Sequence, residues 1–202
     1  MLFRSKPERA RDIARSVLAI DEQGGWLPRW GYASFETNVM TGDPVTPFLV
    51  DLWRFGALEG REEQAWAALR RNAFGIPPLN SRHDGRAGNP HYLAHGYVQF
   101  DRADPSKGMD SDPHHAGSAT MEYALGDCAL SIMGEVLGHG EDAATLRGRG
   151  GNWRNVWDAG VRDRESDFTG FPRPRMEDGE WFTPPAGAYD PTSHYGFHEG
   201  TA

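Results

Sequence analysis

Residues 43–55 spell Asp43-Pro-Val-Thr-Pro-Phe-Leu-Val-Asp-Leu-Trp-Arg-Phe55, and this stretch indicates the fold class most directly. An aspartate followed by a proline is typical of a helix start, with the aspartate as N-cap and the proline at the first helical position. The side chains that follow are apolar on all faces of the helix, and the main exceptions are Asp51 and Arg54. This pattern predicts a helix that is buried on most of its faces.

Two indoles, Trp26 and Trp30, lie upstream of this helix start. An indole offers an apolar face and a single N–H donor, which suits a pyranose with one C–H face and a rim of hydroxyls. The negative charge of Asp43 is favoured beside the unpaired N–H groups of the helix start. The sequence leaves two interpretations open, a sugar-holding site and an ordinary helix cap with tryptophans in the core.

Apolar residues recur with helical spacing along most of the chain. A buried helix, an amphipathic helix and a long loop follow one another twice, while strand patterns with a period of two are nearly absent. Such alternation is typical of (α/α) barrels, in which inner helices line a toroid and outer helices cover it. We therefore predict an all-α fold, a partial toroid with long loops. The predicted helices span residues 6–22, 44–55, 61–74, 118–137 with Ser118 as N-cap, and about 141–157, and residues 163–202 are predicted to be loop.

Composition excludes several classes of function. The chain has 202 residues and a formal net charge of −8, from 29 acidic and 21 basic side chains, which argues against a surface that tracks nucleic-acid phosphates. No apolar run approaches the roughly 20 residues of a membrane span, and no apolar h-region follows the first basic residues, so neither a span nor a signal peptide is predicted. The single cysteine, Cys128, excludes an intrachain disulfide, and its apolar neighbours predict a buried thiol.

Glu199 is a candidate proton donor. Phe197 can desolvate its carboxyl, and Gly200 lets a ligand approach the backbone. Desolvation raises the pKa of a carboxyl, as protonation of a leaving oxygen near neutral pH requires. An inverting glycosidase needs a second carboxylate about 6.5–9.5 Å away, and Asp43 is one candidate. The alternative is a solvated glutamate near the chain terminus.

Two further groups have plainer interpretations. Glu122 either supports a helix start by its charge or faces a pocket, and the sequence favours the first. His114 and His115 lie near Asp110 and Asp112, but adjacent histidines in a loop usually point apart, and no third ligand follows at a recognisable spacing. No metal site is therefore predicted from the residues of this chain.

Seven short segments, spread over nearly the whole chain, carry a resemblance to a known family. They are Gly24-Gly-Trp-Leu-Pro-Arg-Trp30, Asn38-Val-Met-Thr-Gly-Asp43, Tyr92-Leu-Ala-His-Gly-Tyr97, Ala119-Thr-Met-Glu-Tyr-Ala124 with Asp127, Asn152-Trp-Arg-Asn-Val-Trp-Asp158, Thr169-Gly-Phe-Pro-Arg-Pro-Arg175 and Phe197-His-Glu-Gly200. In this order they resemble the catalytic domain of glycoside hydrolase family 92, the calcium-dependent exo-acting α-mannosidases.

The resemblance implies an (α/α)6 toroid that removes terminal α-mannose from glycans with inversion, helped by calcium that distorts the sugar at its 2- and 3-hydroxyls. Glu199 matches the glutamate of the family's Glu-Gly-Asn motif and would be the general acid. Asp43 matches the aspartate of the Gly-Asp motif and would hold hydroxyls of the mannose. Trp26 and Trp30 would be walls of that subsite, and Asn38 is assigned to substrate binding with them.

The resemblance also implies that residues 1–202 form a partial catalytic domain, truncated at both ends. The general base, most calcium ligands and a preceding β-sandwich domain would lie outside this chain, so we expect the chain alone to be inactive. Pro44 and Thr201 depart from the family's histidine and asparagine. Family members are typically secreted or periplasmic, which this sequence does not decide. Two alternatives stay open: a glycan- or protein-binding helical module without catalysis, and a toroidal glycosidase with another sugar specificity.

Overall fold

The computed structural model describes residues 5–32, 35–101, 103, 112–162 and 165–183. Within these ranges the fold is helix-rich, as the sequence predicts, and it contains six α-helices and two short hairpins. The helices are α1 (Pro7–Gly24), α2 (Val45–Arg54), α3 (Glu62–Phe74), α4 (Asn89–His95), α5 (Ala116–Leu137) and α6 (Gly140–Arg149). The antiparallel hairpins pair β1 (Gly31–Tyr32) with β2 (Phe35–Glu36) and β3 (Trp157–Arg162) with β4 (Thr169–Pro172).

The helices of the first half begin and end close to their predicted bounds. α1 ends before Gly25, whose φ of 80° lies in the left-handed region that favours glycine. α2 and α3 begin at Val45 and Glu62, each one residue later than predicted. Local periodicity and helix-ending glycines are therefore sufficient to locate these three helices.

The second half departs from the prediction. α5 begins at Ala116, so Ser118 lies inside the helix and is not its N-cap. The helix predicted over residues 141–157 ends at Arg149, and the chain continues through a 3-10 turn (Asn152–Val156) into β3. Glycine disfavours helix, and two glycines follow Arg149 directly. The hairpins also correct the expectation that strands are nearly absent.

The core lies where α5 packs against α2, α3 and α6. Leu130 and Met133 of α5 are fully buried together with Leu49 of α2 and Leu69 of α3. Burying a side chain of this size stabilises the fold by about 1.5–3 kcal/mol. Close approach depends on Gly134, because a Cβ there would lie 2.7 Å from the Trp66 ring.

The opposite side of α5 is not covered by the described residues. The sequence predicts that α5 and its thiol are buried, but Cys128 is exposed and the large apolar side chains around it are 42–69% exposed. We call this row the outer stripe; its residues are Met121, Leu125, Cys128, Ile132 and Val136. Their spacing of three or four residues places them on one helix face. α5 is thus apolar on two sides, and the described residues bury one of them.

Among the helices of the described ranges, none combines the length and the hydropathy that crossing a bilayer requires.

Candidate functional site

A fully buried arginine joins the start of α2 to the middle of α5. Arg86 Nε donates to Asp43 Oδ2 at 2.7 Å, and Arg86 Nη1 donates to Asp127 Oδ1 at 2.6 Å. Arg149 forms a second ion pair with Asp127 at 2.8 Å. Burial by itself lowers the pKa of Arg86, but the charges of Asp127 and Asp43 outweigh it, so the net pKa is raised. Arg86 therefore stays charged. We call Asp43, Arg86, Asp127 and Arg149 the Arg86 network.

Asp43 is held from several sides. Its Oδ1 accepts hydrogen bonds from Thr46 N at 3.3 Å and from Asn72 Nδ2 at 3.1 Å. Its Oδ2 accepts from Thr46 Oγ1 at 2.6 Å as well as from Arg86. The bond from Thr46 N lies in the first turn of α2, so Asp43 supports the helix start. The predicted N-cap is displaced by one residue, because α2 begins at Val45 and its N-cap is Pro44. A carboxylate offers about four lone-pair positions, and these four donors occupy them.

Asp112 forms a second ionic cluster beside the first. Arg29 Nη2 donates to Asp112 Oδ2 at 2.8 Å, and Gly42 N donates to Oδ1 at 2.8 Å. The hydroxyl of Tyr123 also donates to Asp112. Burial and the charge of Asp112 raise the pKa of Tyr123 well above its ordinary value, so the phenol keeps its proton. Asp112 thereby links Gly42 to Tyr123 of α5.

The predicted indoles lie in different environments. Trp26 is 4% exposed, and its Nε1 donates to Asn72 Oδ1 at 2.8 Å, so its ring is part of the interior. Trp30 is 49% exposed and is open to a ligand. Their roles as substrate walls stay predictions, and the structure makes Trp30 the accessible one.

Asn38 is also in the interior. It is 6% exposed with a φ of 52°, and its amide donates to Arg82 O at 2.6 Å and accepts from Asp84 N at 3.0 Å. These bonds give Asn38 a structural task in the loop before α2. Its assignment to substrate binding stays a prediction.

The proposed general acid, Glu199, lies outside the described residues, as does the proposed pairing of Glu199 with Asp43 across one cavity. The described space beside Asp43 is small, about 10 Å³, which is room for about one water. Among the described residues, no group of three or more His, Cys, Asp or Glu side chains is placed to hold a metal. The general-acid and calcium assignments therefore stay predictions.

Glu122 occupies a different position from the one its sequence context favours. It is the seventh residue of α5, beyond the first turn in which a helix start stabilises a negative charge, so the helix-support interpretation is wrong. Burial and the neighbouring charges of Asp43 and Asp112 raise its pKa. Within the described residues it has no hydrogen bond or ion pair.

Glu122 borders an open depression of about 410 Å³ on the outer side of α5. The walls are mostly apolar and include Met121, Leu125 and the ring of Trp153, which is 40% exposed. The depression is large enough for a sugar ring, unlike the space beside Asp43. The depression therefore brings the carboxyl of Glu122 and the indole of Trp153 to one surface.

Comparison with known proteins places this geometry in a family. The profile of the glycosyl hydrolase family 92 catalytic domain matches residues 2–202. Among solved structures, an inverting mannosidase of family GH92 from Bacteroides thetaiotaomicron is similar, with a TM-score of 0.71 and 23% identity over 92% of this chain and 22% of that one. A GH92 α-mannosidase from the same organism has a TM-score of 0.69 and 26% identity over 96% of this chain and 22% of its own.

That second enzyme, solved in complex with mannoimidazole, gives a TM-score of 0.66 and 26% identity, over 92% of this chain and 21% of the other. A search of curated proteins finds no match. The chain thus spans about a fifth of the length of these solved relatives. Because the family profile covers nearly every residue, the chain belongs to glycosyl hydrolase family 92.

Proposed function

We propose that this chain is part of an exo-acting α-mannosidase that removes terminal α-linked mannose from glycans by an inverting, calcium-dependent reaction. The observation that carries the proposal is the family match over residues 2–202. It is supported by the solved relatives, which are described as GH92 mannosidases, one of them in complex with mannoimidazole. The chain covers a fraction of their length, so the activity is proposed for a longer polypeptide that contains these residues.

In this proposal Glu199 protonates the leaving glycosidic oxygen, and a second carboxylate activates the attacking water. Inversion requires about 6.5–9.5 Å between the two carboxyls to accommodate that water. The second carboxylate is expected from polypeptide outside residues 1–202. Calcium, when bound, would supply positive charge at the 2- and 3-hydroxyls, through ligands that are also expected mostly outside these residues.

The described residues of the proposed subsite differ in how accessible they are to a sugar. Trp30 is open and can act as a wall for the sugar. Asp43 has its four lone-pair positions occupied by protein donors, so a hydroxyl can reach it only when one of those donors moves aside. Trp26 donates to Asn72, which in turn donates to Asp43, and the hydrogen bonds of Asn38 hold the loop between Trp30 and Asp43. We infer that binding at Asp43 is coupled to a rearrangement of its donors.

The test is to express the polypeptide with its flanking coding sequence and to measure hydrolysis of an aryl α-mannoside with and without EDTA. We expect calcium-dependent turnover that Glu199→Gln abolishes, because glutamine cannot donate the proton. Glu177→Gln, which changes an exposed glutamate of the same C-terminal region, is the matched control and should keep full activity. Turnover that is independent of calcium, or that survives Glu199→Gln, would contradict the proposal.

A second candidate is a glycan-binding module without catalysis. It is favoured by the first hairpin, which exposes Trp30, Tyr32 and Phe35 at 49–69%. Exposed aromatic rings of this kind stack on sugar rings in binding modules. The candidates separate in the same experiment, since a binding module would retain mannoside affinity in every variant and show no turnover in any.

A further inference from the structure

Glu122 is a carboxyl that the packing of the chain does not explain. Its neighbours Asp43 and Asp112 are more deeply buried, but each is surrounded by donors and paired with an arginine. Glu122 shares none of these donors and has no hydrogen bond or ion pair within the described residues. The oxygens of Glu122 are not among the described side-chain atoms that are fully buried without a partner, so solvent can reach them. The carboxyl is therefore accessible to a ligand that offers donors.

The loop in front of Glu122 is shaped around its side chain. Gly42 has a φ of 98°, and a Cβ at this position would lie 2.7 Å from Cγ of Glu122. The N–H of Gly42 donates to Asp112 at 2.8 Å, which holds the loop in place. The loop therefore closes one side of Glu122, while the depression on α5 borders another.

The chemistry around this depression matches a polyhydroxylated ring. An ionised carboxylate can only accept hydrogen bonds, so its natural partners are hydroxyl or N–H donors. The exposed ring of Trp153 and the side chains of Met121 and Leu125 offer an apolar surface for a C–H face. A purely apolar partner would fill the depression but leave the carboxyl without a donor.

We propose that Glu122 accepts hydrogen bonds from hydroxyls of a pyranose that packs against Trp153 in this depression. The site is separate from the space beside Asp43 and would hold a sugar unit of the glycan. The inference rests on the proposed function, because a glycan substrate is what brings a pyranose to this surface. Glu122 is thereby assigned as a substrate-binding residue and not as a structural one.

The experiment measures binding of methyl α-D-mannopyranoside to the purified chain by ligand-observed NMR, in parallel with thermal unfolding. We expect Glu122→Gln and Trp153→Ala each to weaken binding about tenfold or more, since each removes a main contact. Glu135→Gln is the matched control, because Glu135 lies on the same helix and pairs with Arg147 at the surface. It should leave binding unchanged.

Thermal unfolding separates a binding role from a structural one. Glu122→Gln should be at least as stable as the wild type, because an unpaired carboxyl is replaced by a neutral amide. A lower midpoint for Glu122→Gln would assign the residue a structural role and overturn the inference. Unchanged affinity in Glu122→Gln, no binding by the wild type, or a dimer that buries Trp153 would also overturn it.

These outcomes are distinct from failure of the proposed function. If Glu122→Gln leaves sugar binding unchanged but the longer polypeptide hydrolyses mannosides with calcium, only the inference about Glu122 is wrong, and the mannosidase proposal is retained. If binding depends on Glu122 but the longer polypeptide shows no turnover, the sugar contact is retained and the hydrolase proposal is contradicted.

Discussion

The two sides of α5 show opposite relations between polarity and burial. The inner side carries Asp127, which is fully buried because Arg86 and Arg149 neutralise it. The outer side carries Leu125 and Val136, which are 57% and 69% exposed. Charge is buried where a partner meets it, and apolar surface is exposed where no described residue covers it. Which side of this helix is interior thus depends on distant partners and not on hydropathy.

Removal of Arg86, the cation on the inner side, should have the largest effect on stability. Arg86→Met should lower the free energy of unfolding by about 3–5 kcal/mol, because it leaves the buried Asp43 without a cation and leaves Asp127 with Arg149 alone. Urea denaturation measures the loss. Arg149→Met should cost less, since its side chain is 13% exposed and Arg86 remains to hold Asp127. Equal losses in the two variants would contradict the central position of Arg86.

A matched pair of leucines compares the two sides directly. Leu130→Ala on the inner side should cost about 2–5 kcal/mol, because Leu130 is fully buried. Leu125→Ala on the outer side should change the unfolding free energy by about 0.5 kcal/mol or less. Both values come from urea denaturation of the purified chain. A large loss in Leu125→Ala would show that the outer side is covered in solution.

Two helical glycines test how tightly the inner side is packed. Gly134→Ala should destabilise by about 1–3 kcal/mol, because the new methyl group would meet Trp66 and the overpacking outweighs the gain in helix propensity. Gly148→Ala in α6 points into open space and should stabilise by about 0.5–1 kcal/mol. Thermal unfolding in parallel gives the signs. Stabilisation by Gly134→Ala would contradict the close contact with Trp66.

The smallest expected effect concerns the pH dependence of stability. The raised pKa of Glu122 means that the folded state binds more protons than the unfolded state above the ordinary value of 4.5. The stability that Glu122 adds through this extra proton is fully present below pH 4.5. It is lost as the pH rises through the pKa that Glu122 has in the folded state. Asp43 and Asp112, with their partners Arg86 and Arg29, are the charged groups that surround it.

Glu122→Gln removes this titration, so its stability should fall less between about pH 4 and pH 7 than that of the wild type. Unfolding free energies across this range give the two profiles. Parallel profiles would show that Glu122 keeps an ordinary pKa in the folded state. A steeper fall for the variant would show that folding lowers the pKa of Glu122.

Much of the helical framework could be predicted from local sequence, because periodicity and helix-ending glycines act within a few residues. The exposed side of α5 could not, since Leu125 and Leu130 are equally apolar and only tertiary packing distinguishes them. For the same reason the apolar neighbours of Cys128 wrongly predict a buried thiol.

Sequence patterns do not predict the Arg86 network. Arg86 lies in a polar loop, and its partners Asp43 and Asp127 are 43 and 41 residues away along the chain. The one local indication is that this charged residue lies between two small residues, Gly85 and Ala87. Small residues allow a loop to lie close to the backbone of another segment. The seven motif segments identified the family, but they did not indicate which of their polar residues face the interior.

The Arg86 network also has a consequence for how the chain unfolds. Asp43, Arg86 and Asp127 come from three separate stretches, so partial opening of any one leaves a charge stranded in a medium of low dielectric constant. We therefore expect such openings to be rare and the three stretches to melt as one cooperative unit. Amide hydrogens around Arg86 should therefore exchange with solvent as slowly as those in the middle of the longest helix, although they belong to a loop.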